Sequence, residues 1–169
     1  MFYIVLTIVA VLVLTLDFVS KHLSVVFNVN KVIIPNFLKF IQTYNTGAAF
    51  GILDDKAWGR YFFITLTILA CLAILTFFAF NIIKKKKLSK WLGIALSLIF
   101  SGAIGNLYDR IFIGKVRDFI FFFYNTEIFP FIFNVADSAL VIGVIMVIIY
   151  MLFLEKDAVF KIRNKRDGN

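Results

Sequence analysis

The sequence predicts an all-α membrane protein: four transmembrane helices, a small extracytoplasmic β-sheet after the first helix, and an outer loop between helices three and four. Three observations carry this. The 169 residues are 62% hydrophobic and include 22 Phe, a composition suited to lipid rather than water as solvent. Apolar runs fall at residues 2–23, 61–83, 91–113 and 131–154, each near the ~20 residues that cross a hydrocarbon core. The formal charge of +8 gathers in clusters flanking those runs. It forms no basic patch with interleaved aromatics, so it reports topology and argues against nucleic acid as a partner. Residues 1–169 read as one integral membrane domain.

In the first run, residues 2–16 carry no charge, and the apolar pattern continues past Asp17 to about Leu23. It does not open on Lys or Arg or close on a small-residue cleavage site, so it reads as a retained helix rather than a cleaved signal peptide. Asp17 and Lys21 are four apart in the acid-before-base order that stacks them on one helical face, and they read as a structural ion pair. Ser20 beside Lys21 gives little support to a Ser-Lys nucleophile, because adjacent helical residues point about 100° apart.

Residues 24–59 switch to short alternating runs, 31–34 and 37–44, broken by Pro35-Asn36 and closed by Asn45-Thr46-Gly47. This predicts a small amphipathic sheet against the outer membrane surface. The stretch from Asn45 to Gly51 combines an amide with small residues that let backbone approach a ligand, although by itself it describes no more than a turn.

The second run ends at Lys84-Lys85-Lys86-Lys87, with Lys90 following, so residues 84–90 form a basic loop; five more Lys or Arg lie in the tail, 155–169. The positive-inside rule makes both segments, and both termini, cytoplasmic. The 24–59 region keeps Lys31, Lys39 and Lys56, partly balanced by Asp54 and Asp55. Segment 113–130, with Gly114, Asn125 and Pro130, is the second outer loop. The single cysteine, Cys71, excludes a disulfide within the chain and a multi-cysteine metal site.

The candidate chemistry lies between Ser101 and Ser138. An ionisable group at membrane depth costs about 3 kcal/mol on an insertion scale and usually faces protein or water for a purpose. On helix three, Gly102, Asn106, Asp109 and Arg110 share a face, with Asp109 offered a charge partner by Arg110. On helix four, Asn134, Asp137 and Ser138 repeat the pattern, and Asp137 has no basic residue within a turn. Asp118 lies 19 residues earlier, but Gly114 and Pro130 break the path, so the two carboxylates can meet near the outer surface. Such a pair would share one proton, and could activate water with one member while the other donates to a carbonyl. His22 is the only histidine, which disfavours a Ser-His triad, and no HExxH motif exists for a metal. On residues alone an aspartyl hydrolase, an ion or proton pathway and a purely structural bundle all stay open.

Five segments narrow the choice: Asp17 with Lys21; Asn45 to Phe50 (NTGAAF); Ser101 to Arg110 (SGAIGNLYDR); Val116-Arg117-Asp118; and Phe133 to Ser138 (FNVADS). In order and spacing the chain resembles bacterial lipoprotein signal peptidase, the type II signal peptidase, over nearly its whole length. Ser101 stands where that family commonly has glycine, and Arg117 where it often has an uncharged or acidic residue; there Arg117 is expected to lower the pKa of Asp118.

The resemblance implies an aspartic endopeptidase of the bacterial cytoplasmic membrane that acts near the extracytoplasmic face. It removes signal peptides from prolipoproteins by cutting before a diacylglyceryl-modified cysteine, with membrane phospholipid around it and no metal or organic cofactor. By the same resemblance Asp118 and Asp137 are the catalytic pair. Asn45, Gly47, Asn106, Arg110 and Asn134 contact substrate or support the site, and Asp17, Lys21 and Asp109 are structural.

Overall fold

Helices form where the apolar runs are. The computed structural model of the chain describes residues 1–46, 58–126 and 131–155. Helix α1 spans Phe2–Val26, α2 Gly59–Ile83, α3 Lys90–Tyr108 and α4 Val135–Ile149. Helix α3 continues through a π-helical turn, Asp109–Ile113, and α4 through another, Tyr150–Leu154. With these extensions, four helices among the described residues are long and apolar enough to cross a membrane.

Helix α3 is the axis of the bundle. Half of it is buried inside the protein, whereas the other three bury about a tenth or less of their spans and present Leu, Ile, Val and Phe outward. Small residues make this possible by letting backbones approach. A methyl added at Gly105 would lie 2.6 Å from Asp17 Oδ2, and one at Gly143 of α4 would lie 2.8 Å from the Ala95 carbonyl oxygen. Gly102 packs in the same way against the Ala136 carbonyl and Leu140.

At one end of the bundle the chain forms an antiparallel sheet in the order β1-β2-β3-β4. Strand β1 is Asn30–Ile34, β2 Leu38–Asn45, β3 Val116–Phe122 and β4 Ile132–Phe133. The β1–β2 hairpin is the sheet that the alternating runs predict. Strands β3 and β4 correct the expectation of a plain loop over 113–130: Val116 to Phe122 pairs with β2, placing Thr43 opposite Asp118 and Asn45 opposite Val116. Gly114, at φ +86°, makes the left-handed corner between α3 and β3. The start of the fourth helix also moves, from the expected 131 to Val135, because Asn134 caps it and Ile132–Phe133 pairs with Phe121 and Ile120 as strand.

Candidate active site

Two carboxylates meet at the junction of sheet and bundle, and Asn134 joins them. Asp118 is carried by β3 and is 2% exposed; Asp137 is in the first turn of α4 and half-buried. As the N-cap, Asn134 accepts from the Asp137 N–H on its Oδ1 at 2.9 Å, while its own backbone N–H donates to Asp137 Oδ2 at 3.0 Å. This reciprocal capping box leaves the side-chain amide nitrogen pointing away from the helix. From there Nδ2 donates to Asp118 Oδ1 at 2.6 Å, with the Asn106 Oδ1 at 3.1 Å and the Arg117 carbonyl at 3.3 Å nearby.

Among the described residues, each carboxylate has one further amide donor. Asn45 Nδ2, diagonally across from Asp118 on the neighbouring strand, donates to Asp118 Oδ2 at 3.2 Å. Asn106 Nδ2, from α3, donates to Asp137 Oδ1 at 2.7 Å. The Asn106 amide cannot flip without loss, because Lys21 Nζ donates to its Oδ1 at 2.9 Å.

Behind this pair lies a buried ionic layer. Lys21 sits 2.8 Å from Asp17 Oδ2 and 3.5 Å from Asp109 Oδ2, and all three residues are fully buried. Asp17 Oδ1 also accepts the Ala136 N–H at 2.9 Å, tying α1 to the start of α4. Asp109 is gripped by Arg117: Nη2 donates to Oδ1 at 2.7 Å, and Nε and the backbone N–H donate to Oδ2 at 3.1 and 3.0 Å. Two expectations are therefore corrected. The ion-pair partners of Asp109 are Arg117 and Lys21 rather than Arg110, whose side chain leaves the helix about 100° away. Arg117 does not lower Asp118, because neighbours on a strand point to opposite faces. Burial instead raises the Asp118 carboxyl to about 7, the Asp137 charge adding to the rise, while hydrogen bonds from Asn45 and Asn134 and the charge of Lys21 oppose it.

Arg110 extends over the Phe63 ring, 5.3 Å from its centroid, and its charge interacts with Asp137, Asp118 and Asp109. Among the described residues, Lys21, Arg110 and Arg117 thus face four carboxylates, Asp17, Asp109, Asp118 and Asp137, and these seven groups sum to zero when the four carboxylates hold one proton. Asp17 and Asp109 each have a cation within 3.5 Å, whereas the partners of Asp118 and Asp137 given by the described residues are amides.

Asn45, Asn106, Arg110, Asp118, Asn134 and Asp137 come together as the sequence suggests, and Asp17, Lys21 and Asp109 lie directly behind them. Gly47 lies outside the described residues. Ser20 bonds back to the Leu16 and Asp17 carbonyls, and His22 is exposed, so neither joins the site. Sequence reasoning missed Arg60 of α2, which donates to the carbonyls of Arg110 and Ile111. A lone Arg opening an apolar run reads as an interfacial anchor, and no local spacing marks it otherwise. The described residues contain no group of three or more His, Cys, Asp or Glu placed to hold a metal ion.

Comparison with known proteins follows the same lines. A family profile described as signal peptidase (SPase) II matches residues 9–153. The chain is similar to the lipoprotein signal peptidase of Staphylococcus haemolyticus (strain JCSC1435), 41% identical over 157 residues, 89% of this chain and 90% of the relative. It is 42% identical to the lipoprotein signal peptidase of Desulfitobacterium hafniense (strain DSM 10664 / DCB-2) over 124 residues, 73% of this chain and 75% of that one. Two solved structures of bacterial membrane enzymes superpose with TM-scores of 0.77 and 0.73, at 35% and 37% identity. They cover 95% and 91% of this chain and 93% and 94% of their own.

Proposed function

The chain belongs to the signal peptidase II family, and from that premise we propose that it is an aspartic endopeptidase that cleaves prolipoproteins before a diacylglyceryl-modified cysteine. The observation that supports the catalytic type is the double use of Asn134, which caps Asp137 and donates to Asp118, so that one side chain orients both carboxylates; in this reading the two share one proton. The ionised member takes a proton from water as its oxygen attacks the scissile carbonyl carbon. The protonated member donates to the carbonyl oxygen, giving a neutral tetrahedral diol. Collapse of the diol breaks the C–N bond, returns a proton to the pair and sends one to the departing cysteine amine.

The surrounding groups have distinct tasks in this reading. Asn45, Asn106 and Asn134 aim the carboxyl oxygens, Arg110 holds positive charge beside the pair, and Gly47 lets backbone approach the substrate. Asp17, Lys21 and Asp109 are the structural base on which these are set. The sheet and the pair lie at the extracytoplasmic face, with both termini and the basic loop 84–90 cytoplasmic by the positive-inside rule. A lipidated cysteine held in the bilayer by its diacylglyceryl chains would bring the scissile bond to that depth, so lipid binding contributes to positioning.

The rival reading, a proton pathway, needs polar groups through the whole thickness. Toward the opposite end, Asn81 spends a hydrogen bond on the Phe77 carbonyl of its own helix, and at mid-span Ser101 does the same with the Ser97 carbonyl. The described acidic groups of the spans collect at the sheet end. The test is cleavage by purified protein in detergent with phospholipid and no added metal or nucleotide. The lipidated precursor is expected to be cut before its diacylglyceryl cysteine and the unlipidated one to stay intact. Equal cleavage of both would remove the lipid-positioning role, and no cleavage together with proton flux in liposomes would favour the pathway.

A further inference from the structure

Arg60 lies in the first turn of α2, half-buried, and turns its guanidinium onto the end of α3. Nε donates to the Arg110 carbonyl at 2.7 Å and Nη2 to the Ile111 carbonyl at 3.0 Å. These carbonyls lie in the last turn of the helical run, where the supply of backbone donors ends; the Gly114 N–H already goes to the Asp109 carbonyl at 2.9 Å. A cation at this negative end of the helix dipole is doubly favoured. The guanidinium also fills the corner, since a methyl at Gly114 would lie 3.4 Å from Nη1. One turn along α2, Phe63 supplies the ring against the Arg110 guanidinium. Helix α2 therefore holds Arg110 by its carbonyl and by its side chain.

We propose that Arg60 is a positioning residue of the active site, pinning the turn from Arg110 to Gly114 so that Arg110 faces the carboxylate pair and β3 delivers Asp118 to Asn134. The inference rests on the aspartyl reading above. Among the described residues, the charged groups around Arg110 are Asp17 and Lys21 from α1, Asp109 in its own turn, Arg60 from α2, Arg117 and Asp118 from β3, and Asp137 from α4. Lys21 and Arg117 are anchored on Asp17 and Asp109, so displacing Arg110 is the change that the pair would feel. With that positive charge farther from Asp137 and Asp118, the carboxylate pair as a unit keeps its proton to higher pH.

The test uses the full chain in detergent with phospholipid and a lipidated prolipoprotein, comparing Arg60→Lys and Arg60→Gln with the parent. Turnover per folded molecule is expected to fall about tenfold or more with KM little changed, as for a misplaced catalytic group. The pH profile should move upward, on the order of half a pH unit. Backbone hydrogen exchange at Gly114, Lys115 and Val116 should quicken. Trp91→Phe is the control: it removes a 2.7 Å hydrogen bond to the Met146 carbonyl, and is expected to lower thermal stability without moving the profile. Should neither Arg60 variant be recovered folded, Phe63→Leu, which removes the ring but leaves the two hydrogen bonds, is expected to shift the profile in the same direction by less. Parent-like turnover and pH profile in the folded variants would overturn the proposal, as would unchanged exchange at the corner. Failure of the parent to cleave would overturn the aspartyl reading itself, a separate outcome.

Discussion

Asp118→Asn gives the sharpest test of the shared-proton site, because its effect on stability depends on pH in a direction that burial dictates. Asp118 carries its proton up to about pH 7 in the folded protein, against an ordinary value of 3.8. Its folded-state pKa is raised, so the stability associated with the bound proton is complete below the unfolded value and is lost as pH rises from there through about 7. Above that point the fold holds a carboxylate whose burial costs on the order of 4 kcal/mol, at about 1.4 kcal/mol for each pH unit between the two values. Asparagine removes this cost. It keeps an oxygen for Asn134 but turns a donor toward Asn45, forfeiting about 1 kcal/mol of hydrogen bonding. The net expectation is a variant more stable than the parent by about 3 kcal/mol at pH 8 and slightly less stable at pH 4. Thermal unfolding in detergent, followed by Trp fluorescence across that range, reads the difference directly. A parent-to-variant gap that does not change with pH, or a variant less stable at pH 8, would refute the raised-pKa argument.

Asp118→Asn and Asp137→Asn are each expected to lower cleavage by at least about 10²-fold, the scale of acid–base catalysis, while leaving abundant protein that still retains lipidated substrate in a pull-down. Parental activity decreases as the shared proton is lost, so the rate should fall as pH rises past about 7; a rate that keeps climbing to pH 9 would count against the pair. Asp109→Asn strands the Arg117 fork and a Lys21 contact, so it should cost about 3–5 kcal/mol and appear as lost folded yield, with little change in turnover per folded molecule. With Cys71→Ser as background, single cysteines at positions 86 and 165 should be shielded from an impermeant thiol reagent in intact cells, and those at 55 and 125 labelled. Labelling at 86 would reverse the topology.

The four helices were legible because lipid imposes a simple rule: about 20 apolar residues, flanked by charge. On residues alone, the parts of the site that could be read were those governed by helical spacing and the meeting of Asp118 with Asp137 across a broken path, whereas Asn45 and Gly47 came from the family resemblance. Asp17 and Lys21 are i and i+4, and Asn134 and Asp137 are i and i+3, which is itself a capping signal that could have placed the start of α4 at Val135. What escaped depended on contacts between distant segments. Residues 116–122, with three Phe beside Val116 and Ile120, fit a strand as well as a loop, and their partner β2 lies about 75 residues away in sequence. Likewise, sequence neighbours suggested pairing Asp109 with Arg110 and Asp118 with Arg117, yet helix and strand geometry both turn neighbours apart. That geometry divides the labour. By crossing from β3 to Asp109, Arg117 spends its charge on the structural aspartate and leaves Asp118 to amide donors. Had Arg117 faced Asp118, four carboxylates and three cations would still sum to minus one, but the missing proton would be drawn away from the pair that needs it. In the proposed mechanism, the fold thus sets the proposed catalytic aspartates apart from Asp109 by where it sends Arg117.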